Sequence, residues 1–287
     1  MSSSELPVPS SDQEIFSEFF NCWLSEIERD LRLLYAMAAA SPPPQGSQCI
    51  DALQVQVLVD RIVGHHEYYI RAKSASARGD VLPMFSPTWT SSTENLFYWV
   101  GGYRPSLAFH VLYSKSGLQL DSQLAKGMMP PLGPDLEAEG DLGDLSHSQL
   151  VRIDSLMRET IRHEREISEQ EASAQESVGS TSMVAISHQV TEALLEPAAE
   201  GGGLTEPPPT MDAEMKESRV SMTKALEMAD TLRLDTLKGI VKILRPLQAV
   251  HFLIAVSELI LRVHEFGKRV DVTAKLRTAS SNKSATV

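Results

Sequence analysis

Residues 97–114 read FYWVGGYRPSLAFHVLYS and contain two adjacent glycines, Gly101 and Gly102, followed by Pro105. A phosphate-binding loop places its glycines between a strand and a helix, so that backbone N–H groups face the anion. Here we predict a short aromatic helix before the glycines, capped at Ser92. Pro105 suits the first turn of the next helix. The stretch therefore indicates a corner between two helices, with a phosphate loop as the alternative.

Apolar residues recur at three- and four-residue intervals along most of the chain, which is the pattern of amphipathic helices. No alternating run of useful length indicates a strand. In the second helix, Lys73 is placed away from the apolar face, and Gly267 closes the last helix. The fold class is therefore all-α, a bundle of about six to eight helices. The predicted helices cover about 12–40, 51–77, 92–100, 105–116, 150–164, 222–244 and 246–267.

Two segments rich in Pro, Gly and acidic residues interrupt this pattern. Such composition buries too little apolar surface to offset the entropy of ordering. We expect disordered insertions at about 127–145 and 174–212. Around these insertions we predict one helical domain at 12–267, with disordered tails at 1–11 and 268–287.

Composition excludes several classes of function. The net charge of −12 opposes direct binding to nucleic acid, since Lys and Arg supply most of that affinity. The most apolar stretch, at 250–263, is interrupted by polar residues, so we expect no membrane contact. The two cysteines form no framework of disulfides or zinc ligands, which favours a reducing compartment. No heptad seam specifies an oligomeric state.

The sequence shows no enzyme motif and no metal-binding spacing, so we predict a protein that is not an enzyme. The adjacent His65 and His66 point about 100° apart on a helix and do not chelate one metal. Arg104 either binds an anion or, as we favour, pairs with an acid from a neighbouring helix. His264 either ligates a haem iron or interacts with the end of its helix.

Several segments together resemble the DOG domain, which the Delay of Germination family shares with the C-terminal half of TGA-type bZIP factors. They are FFNCWL at 19–24, LVDRIVGHHEYYIRAKSASARGDV at 58–81, WVGGYRPS at 99–106, ADTLRLDTL at 229–237 and RPLQAVHFLIA at 245–255. The resemblance spans about 12–267. It implies that WVGGYRPS forms a helix-to-helix corner. The family signature residues are Trp89, in the matching segment PTW at 87–89, and Trp99, Gly101, Gly102, Arg104, Pro105 and Ser106.

TGA factors carry a bZIP before this domain, whereas about a dozen residues precede the first helix here, which favours the dormancy-regulator branch. The resemblance then implies a regulator of seed dormancy and abscisic acid signalling in the nucleus and cytosol. It implies binding to clade A type 2C protein phosphatases through the N-terminal helix. The corresponding residues are Glu18, Phe19, Phe20, Asn21 and Trp23, for which core packing is the alternative role. A transcriptional regulator that partners TGA-type factors or coactivators is the competing hypothesis.

The resemblance also implies haem binding through two histidines four residues apart on the last helix. The matching positions here are Ile260 and His264. Because an aliphatic side chain does not coordinate iron, His264 is the only haem ligand that the resemblance supplies. A haem sensor, or a sensor of fatty acid held between helices, is a third hypothesis.

Overall fold

The computed structural model describes residues 12–39, 52–125, 140–195 and 209–284. Within these ranges the all-α prediction is confirmed, and seven helices have 15 or more residues. The helices are α1 (Asp12–Ala39), α2 (Ala52–Gly79), α3 (Leu82–Phe85), α4 (Ser92–Leu96), α5 (Leu107–Ala125), α6 (His147–Glu176), α7 (Thr181–Leu195), α8 (Pro209–Ile243) and α9 (Pro246–Ser284). The strands are β1 (Tyr98–Trp99) and β2 (Gly102–Tyr103), and 3-10 turns lie at Leu142–Asp144 and Ser177–Gly179.

One continuous core runs through the bundle. The helix α1 packs on α9 and α2, and α6 packs along α8. Each buries one stripe, because apolar residues three and four apart lie on the same face of a helix. In α1 the buried stripe is Phe16, Phe20, Trp23, Leu24, Ile27, Leu31 and Leu34.

A buried amide network joins α8 to α9. The chain leaves α8 at Ile243, and Pro246 is the first residue of α9, as predicted. Gln149 Nε2 of α6 donates to the Ile243 carbonyl (3.0 Å) and to Gln248 Oε1 (2.8 Å). Gln248 Oε1 also accepts the N–H of Arg245 (3.0 Å). The carbonyl that the helix end leaves unpaired is therefore satisfied by a side chain.

The prediction of an aromatic helix after Ser92 is wrong. The helix α4 ends at Leu96, and the residues after it form a small antiparallel hairpin. The cap is Ser91, whose Oγ accepts the N–H of Glu94 (3.2 Å), while Glu94 Oε2 accepts the N–H of Ser91 (2.7 Å). In this reciprocal capping box the cap is Ser91, one residue before the predicted Ser92.

Parts of both predicted insertions are ordered. The insertion at 174–212 contains α7, whose Met183 and Ile186 are buried against the bundle. The insertion at 127–145 ends in a 3-10 turn with Leu142 fully buried. Gln119 Oε1 accepts the N–H of Leu142 (2.9 Å), and Ser116 Oγ donates to its carbonyl (2.7 Å). The remaining residues of the insertions, 127–139 and 196–208, and the tail at 1–11 lie outside the described residues.

The last helix does not end at Gly267, and a disordered tail from residue 268 is wrong as far as residue 284. Its extension packs beside α4, where Asp271 Oδ2 accepts the N–H of Ser92 (3.0 Å). By length and composition Pro246–Thr278 would suffice to cross a membrane, with 44% of its apolar window buried in the bundle. A core helix of a helical bundle has this composition too.

Gly267 allows α9 to approach α4 closely. A Cβ added at this position would lie 2.0 Å from Ser91 Oγ and 3.0 Å from Thr93 Cβ. Gly117, in the middle of α5, is exposed and has no atom within 4 Å of such a Cβ. The two helical glycines therefore differ in the space around them.

We expect Gly267→Ala to lower the free energy of unfolding by about 1 to 3 kcal/mol, because the added methyl group forces the two helices apart. The matched change Gly117→Ala should raise it by about 0.5 to 1 kcal/mol, as alanine usually does in a helix. Urea denaturation of both variants measures the difference. Equal effects of the same sign would contradict the close approach.

Candidate functional site

The signature corner is a two-residue hairpin turn at the centre of the bundle. Tyr98 pairs with Tyr103 and Trp99 with Gly102, so Val100 and Gly101 form the turn. Both have positive φ, 44° and 67°, as such turns need. For a valine this conformation is strained and persists only where its surroundings hold it. At Gly101 an added Cβ would meet Leu226 at 2.7 Å and the Met84 carbonyl at 2.9 Å.

Two cations from other helices hold this turn, the buried Lys73 and the partly buried Arg233. Arg233 of α8 donates from Nε to the Tyr103 carbonyl (2.7 Å) and from Nη2 to the carbonyls of Val100 (2.9 Å) and Trp99. Lys73 of α2 donates from Nζ to the carbonyl of Gly101 (2.6 Å). Every carbonyl from Trp99 to Gly101 therefore accepts a hydrogen bond from a charged side chain of another helix.

A single carboxylate balances the two cations. Asp230 Oδ1 lies 2.5 Å from Arg233 Nη1 and 3.1 Å from Lys73 Nζ. The side chains of Lys73 and Asp230 are 4% and 2% exposed. Burial lowers the pKa of Lys73 to about 8, although Asp230 partly offsets this. Lys73 thus lies in the core, contrary to its predicted place away from the apolar face of α2.

Glu164 of α6 fixes the exit of the corner into α5. Its Oε1 accepts the N–H of Ser106 (2.7 Å), and its Oε2 accepts the Ser106 hydroxyl (3.1 Å). Arg104 Nη1 lies 3.3 Å from Glu164 Oε2, the ion pair with a neighbouring helix that the sequence predicted. Trp99 Nε1 donates to Ser168 Oγ of the same helix (2.9 Å). The corner is architectural, and the phosphate-loop alternative is wrong, because the turn carbonyls face cations of the protein itself.

A cavity of about 200 Å³ lies beside this cluster, between α1, α2, the corner, α8 and α9. Its walls are mainly apolar and aromatic, and they include Phe20, Trp23 and Tyr69. The charged residues Lys73 and Asp230 also border it. The cavity is thus a small, mainly apolar volume with charged residues at its border.

His66 borders the same cavity, and His65 lies beside it on α2. Burial lowers the pKa of His66 to about 4, despite the nearby charge of Asp30. His65 Nδ1 lies 2.6 Å from Asp30 Oδ2 and its side chain is 30% exposed. Both side chains are half-buried, so His65 is partly exposed as predicted, whereas His66 is not fully in the core.

The residues predicted to bind a partner divide between the two sides of α1. Phe20 and Trp23 are buried, and Trp23 stacks on Tyr69 with ring centroids 4.4 Å apart. Glu18 and Asn21 are exposed, and Phe19 is half-buried. Core packing therefore accounts for Phe20 and Trp23, which leaves the polar residues and the edge of Phe19 for a partner.

The surroundings of His264 do not fit a haem. Its Nδ1 lies 2.9 Å from Glu94 Oε2, and its ring packs edge-on against Phe20. Ile260, rather than His264, borders the cavity. That cavity of about 200 Å³ is smaller than the roughly 300 to 1,000 Å³ of pockets for drug-sized ligands, so it takes neither a haem nor a long acyl chain. Among the described residues, no group of three or more His, Cys, Asp and Glu could hold a metal ion.

The sequence pattern did not reveal the four residues that hold the corner, which are Lys73, Glu164, Asp230 and Arg233. A signal was present in the helical spacing. Lys73 lies four residues after Tyr69 on the buried side of α2, and Asp230 and Arg233 follow buried Leu226 at four and seven residues. A charge on the buried stripe of a helix predicts a buried partner. The identity of that partner depends on distant parts of the chain.

Comparisons with known proteins point to one family. A family model described as DOG1, seed dormancy control, matches residues 33–114. Protein DOG1-like 2 of Arabidopsis thaliana is 30% identical over 223 residues, covering 76% of this chain and 80% of the relative. Protein DOG1-like 3 of the same plant is 29% identical over 243 residues, covering 80% and 82%. These matches extend over most of both chains.

Two further Arabidopsis thaliana proteins are similar. Protein RESPONSE TO ABA AND SALT 1 is 28% identical over 263 residues, 91% of this chain and 97% of the relative. Transcription factor TGA3 is 26% identical over 209 residues, which cover 73% of this chain and 44% of the factor. The similarity to TGA3 is therefore confined to part of that protein.

We expect Arg233→Lys to lower the free energy of unfolding by about 3 kcal/mol or more. Lysine keeps the positive charge but lacks the planar guanidinium group with its several N–H donors. Buried carbonyls of the turn therefore lose their hydrogen-bond donors. Arg104→Lys is the matched control, since Arg104 is half-exposed and faces Glu164 with one nitrogen. Arg104→Lys should lower the free energy of unfolding, measured with denaturant, by less than about 1 kcal/mol. A similar decrease in the free energy of unfolding of both variants would show that the guanidinium geometry of Arg233 is unimportant.

We expect acid to destabilise the protein through His66. The unfolded imidazole binds a proton near pH 6.5, whereas the folded pKa of about 4 delays protonation, so stability falls as the pH drops between these values. The free energy of unfolding at pH 7 should exceed that at pH 4 by roughly 2 to 3 kcal/mol from this group alone. His66→Gln should remove that part of the pH dependence, with the exposed His147→Gln as control. An unchanged slope in His66→Gln would refute the assignment.

Proposed function

Because this chain belongs to the DOG1-like family of seed-dormancy-control proteins, we propose that it regulates dormancy or abscisic acid responses by binding a clade A type 2C protein phosphatase. The relatives carry the names of dormancy, abscisic-acid-response and transcription-factor proteins, and not of enzymes. Those names support a regulator of the dormancy and abscisic acid type. The phosphatase is the finer part of the proposal, and its binding surface would be on α1.

The observation that carries the proposal is an exposed stripe on the outer side of α1. The side chains of Ile15, Glu18, Phe19 and Cys22 follow the i, i+3, i+4, i+7 spacing and so lie on one side of the helix. Ile15 is 55% exposed although it is apolar. We call the surface formed by these four residues, Asn21 and the adjacent Tyr68 the α1 face.

Tyr68 of α2 extends this surface sideways. It is 64% exposed, and its ring meets that of Phe19 edge-on with centroids 5.6 Å apart. Aromatic side chains at the centre with polar residues around them are typical of protein interfaces. The α1 face has that composition, with Glu18 and Asn21 at its edge.

A second function is favoured by the similarity to TGA3, which covers 73% of this chain. The protein would then act in transcription by joining a TGA-type factor or a coactivator, without reading DNA bases itself. The likeness to a transcription factor supports a nuclear location for such a regulator. Binding to a TGA domain in the absence of phosphatase binding would favour this function over the first.

We expect the double variant Glu18→Ala with Asn21→Ala to bind a purified clade A type 2C phosphatase about tenfold more weakly than the native chain. Tyr68→Ala should weaken binding at least as much, since truncated aromatic residues at the centre of interfaces carry the largest losses. Isothermal titration calorimetry of the full chain measures both. All three positions are exposed, so thermal unfolding should change little.

The matched control is Glu169→Ala with Gln170→Ala on α6. It removes the same charge and a similar amide from exposed positions on another helix. Its affinity for the phosphatase should equal that of the native chain. Absence of binding by the native chain would overturn the phosphatase proposal, and equal losses in both double variants would overturn the assignment to the α1 face.

A further inference from the structure

The end of α9 is positively charged, although the chain as a whole has a net charge of −12. Residues 268–277 contain four cations and one carboxylate, Asp271, which accepts both the N–H and the hydroxyl of Ser92. The cations are Lys268, Arg269, Lys275 and Arg277, and all four are exposed. None of them forms an ion pair with a described carboxylate, whereas Arg262 of the same helix is paired with Glu265. This end of α9 therefore presents positive charge that the described part of the chain does not pair.

Two exposed apolar side chains lie among these cations. Val272 is 57% exposed and Leu276 is 64% exposed, and their spacing of four residues places them on one side of the helix. Lys268 and Arg269 precede Val272 by four and three residues, and Lys275 follows it by three. Residues at these spacings are neighbours on a helix surface. We call the surface formed by these five residues the α9 face.

The bundle does not cover the α9 face. Gly267 and Asp271, which lie on another side of the helix, make the close contacts with α4. Every residue from 272 to 278 is exposed, and about 20 Å of helix lies beyond Asp271. A helical segment of this length is only marginally stable in water without packing. A partner that covers the face would therefore stabilise this end of α9.

The composition of the α9 face distinguishes between kinds of partner. Nucleic acid gains affinity from neutralised phosphates, but it gains nothing from Val272 and Leu276. A bilayer surface binds in proportion to the apolar area that it buries, and two side chains supply little. The net charge of −12 also repels an anionic surface. Apolar residues at the centre with charged residues around them instead fit a protein whose charges have the opposite sign.

We propose that the α9 face binds an acidic amphipathic helix of another protein. The apolar stripe of that helix packs on Val272 and Leu276, and its carboxylates lie at Lys268, Arg269 and Lys275. An apolar stripe supplies the contact in such helix pairs, and the charges beside it select the partner. The inference is independent of the phosphatase proposal, because the α9 face and the α1 face have no residue in common.

The first test uses two synthetic amphipathic peptides with leucines at the same positions. One has glutamates beside the leucines and the other has lysines. In calorimetric titrations of the full chain, the glutamate peptide should bind about tenfold more tightly than the lysine peptide. Its affinity should fall as salt is added, because the charges are exposed. Absence of binding by the glutamate peptide overturns the proposal, as does equal affinity for the two peptides.

A charge reversal locates the peptide. Arg269→Glu with Lys275→Glu should weaken the glutamate peptide about tenfold or more. The matched control is Lys216→Glu with Arg219→Glu, which makes the same change in net charge at two exposed positions of α8. The control should bind with near-native affinity, and the Tm of both variants should change little. Equal losses of affinity would show attraction to the net charge of the chain and overturn the α9 face.

A polar substitution tests the apolar centre of the face. Val272→Asn should weaken the glutamate peptide about fivefold, because it removes apolar contact from the middle of the interface. Val220→Asn is the matched control, since Val220 on α8 is exposed to a similar extent, 63%. It should leave the affinity unchanged. An unaffected Val272→Asn variant would mean that charge alone holds the peptide and would overturn the helix-packing assignment.

Hydrogen exchange and competing occupants complete the test. Backbone amides of residues 272–284 should exchange quickly in the free chain and more slowly with the glutamate peptide bound, since packing stabilises this end of the helix. Unchanged exchange there would place the peptide elsewhere and overturn the proposal. Tighter binding of duplex DNA or of phosphatidylserine vesicles would overturn the choice of an acidic protein. Self-association of the native chain that Arg269→Glu with Lys275→Glu abolishes would make a second copy the occupant and overturn it too.

Discussion

One oxygen of Asp230 lies between the charged ends of Lys73 and Arg233 at the centre of the bundle. Each cation also binds carbonyls of the hairpin turn, so the carboxylate indirectly holds a backbone conformation that Val100 would not adopt alone. Removal of one member of such a cluster leaves a buried charge without its partner, which is more costly than absence of the whole cluster. Glu164 then fixes the contact between the corner and α6 and the exit of the chain into α5.

The same cluster lies beside the cavity in the core. Lys73, Asp230 and Arg233 all border it, while the nitrogen atoms of the two cations donate to backbone carbonyls of the turn. Phe20 and Trp23 of α1 border the same cavity. The helix α1 therefore has one side in contact with the cavity and another exposed to solvent.

The sequence predicted what depends on local pattern. Helical periodicity and Pro246 gave the all-α class and the start of α9 correctly, and Arg104 was expected to meet an acid. Wrong predictions concern contacts between residues distant in sequence. Lys73 looked like a solvated charge because its partner, Asp230, lies 157 positions further on. Gly267 looked like a helix end because the neighbouring Ser91, which requires the glycine, is not visible in local sequence.

The distance along the chain between the corner and its partners has a consequence for biosynthesis. Arg233 is 130 residues or more beyond the carbonyls of Tyr103, Val100 and Trp99 that it binds. During translation, the hairpin emerges from the ribosome well before α8, and contacts of such long sequence separation form slowly. A nascent chain that stops before residue 233 has a strained turn with no guanidinium to hold it. The bundle thus gains its stable centre only after α8 has been synthesised and has packed against the hairpin.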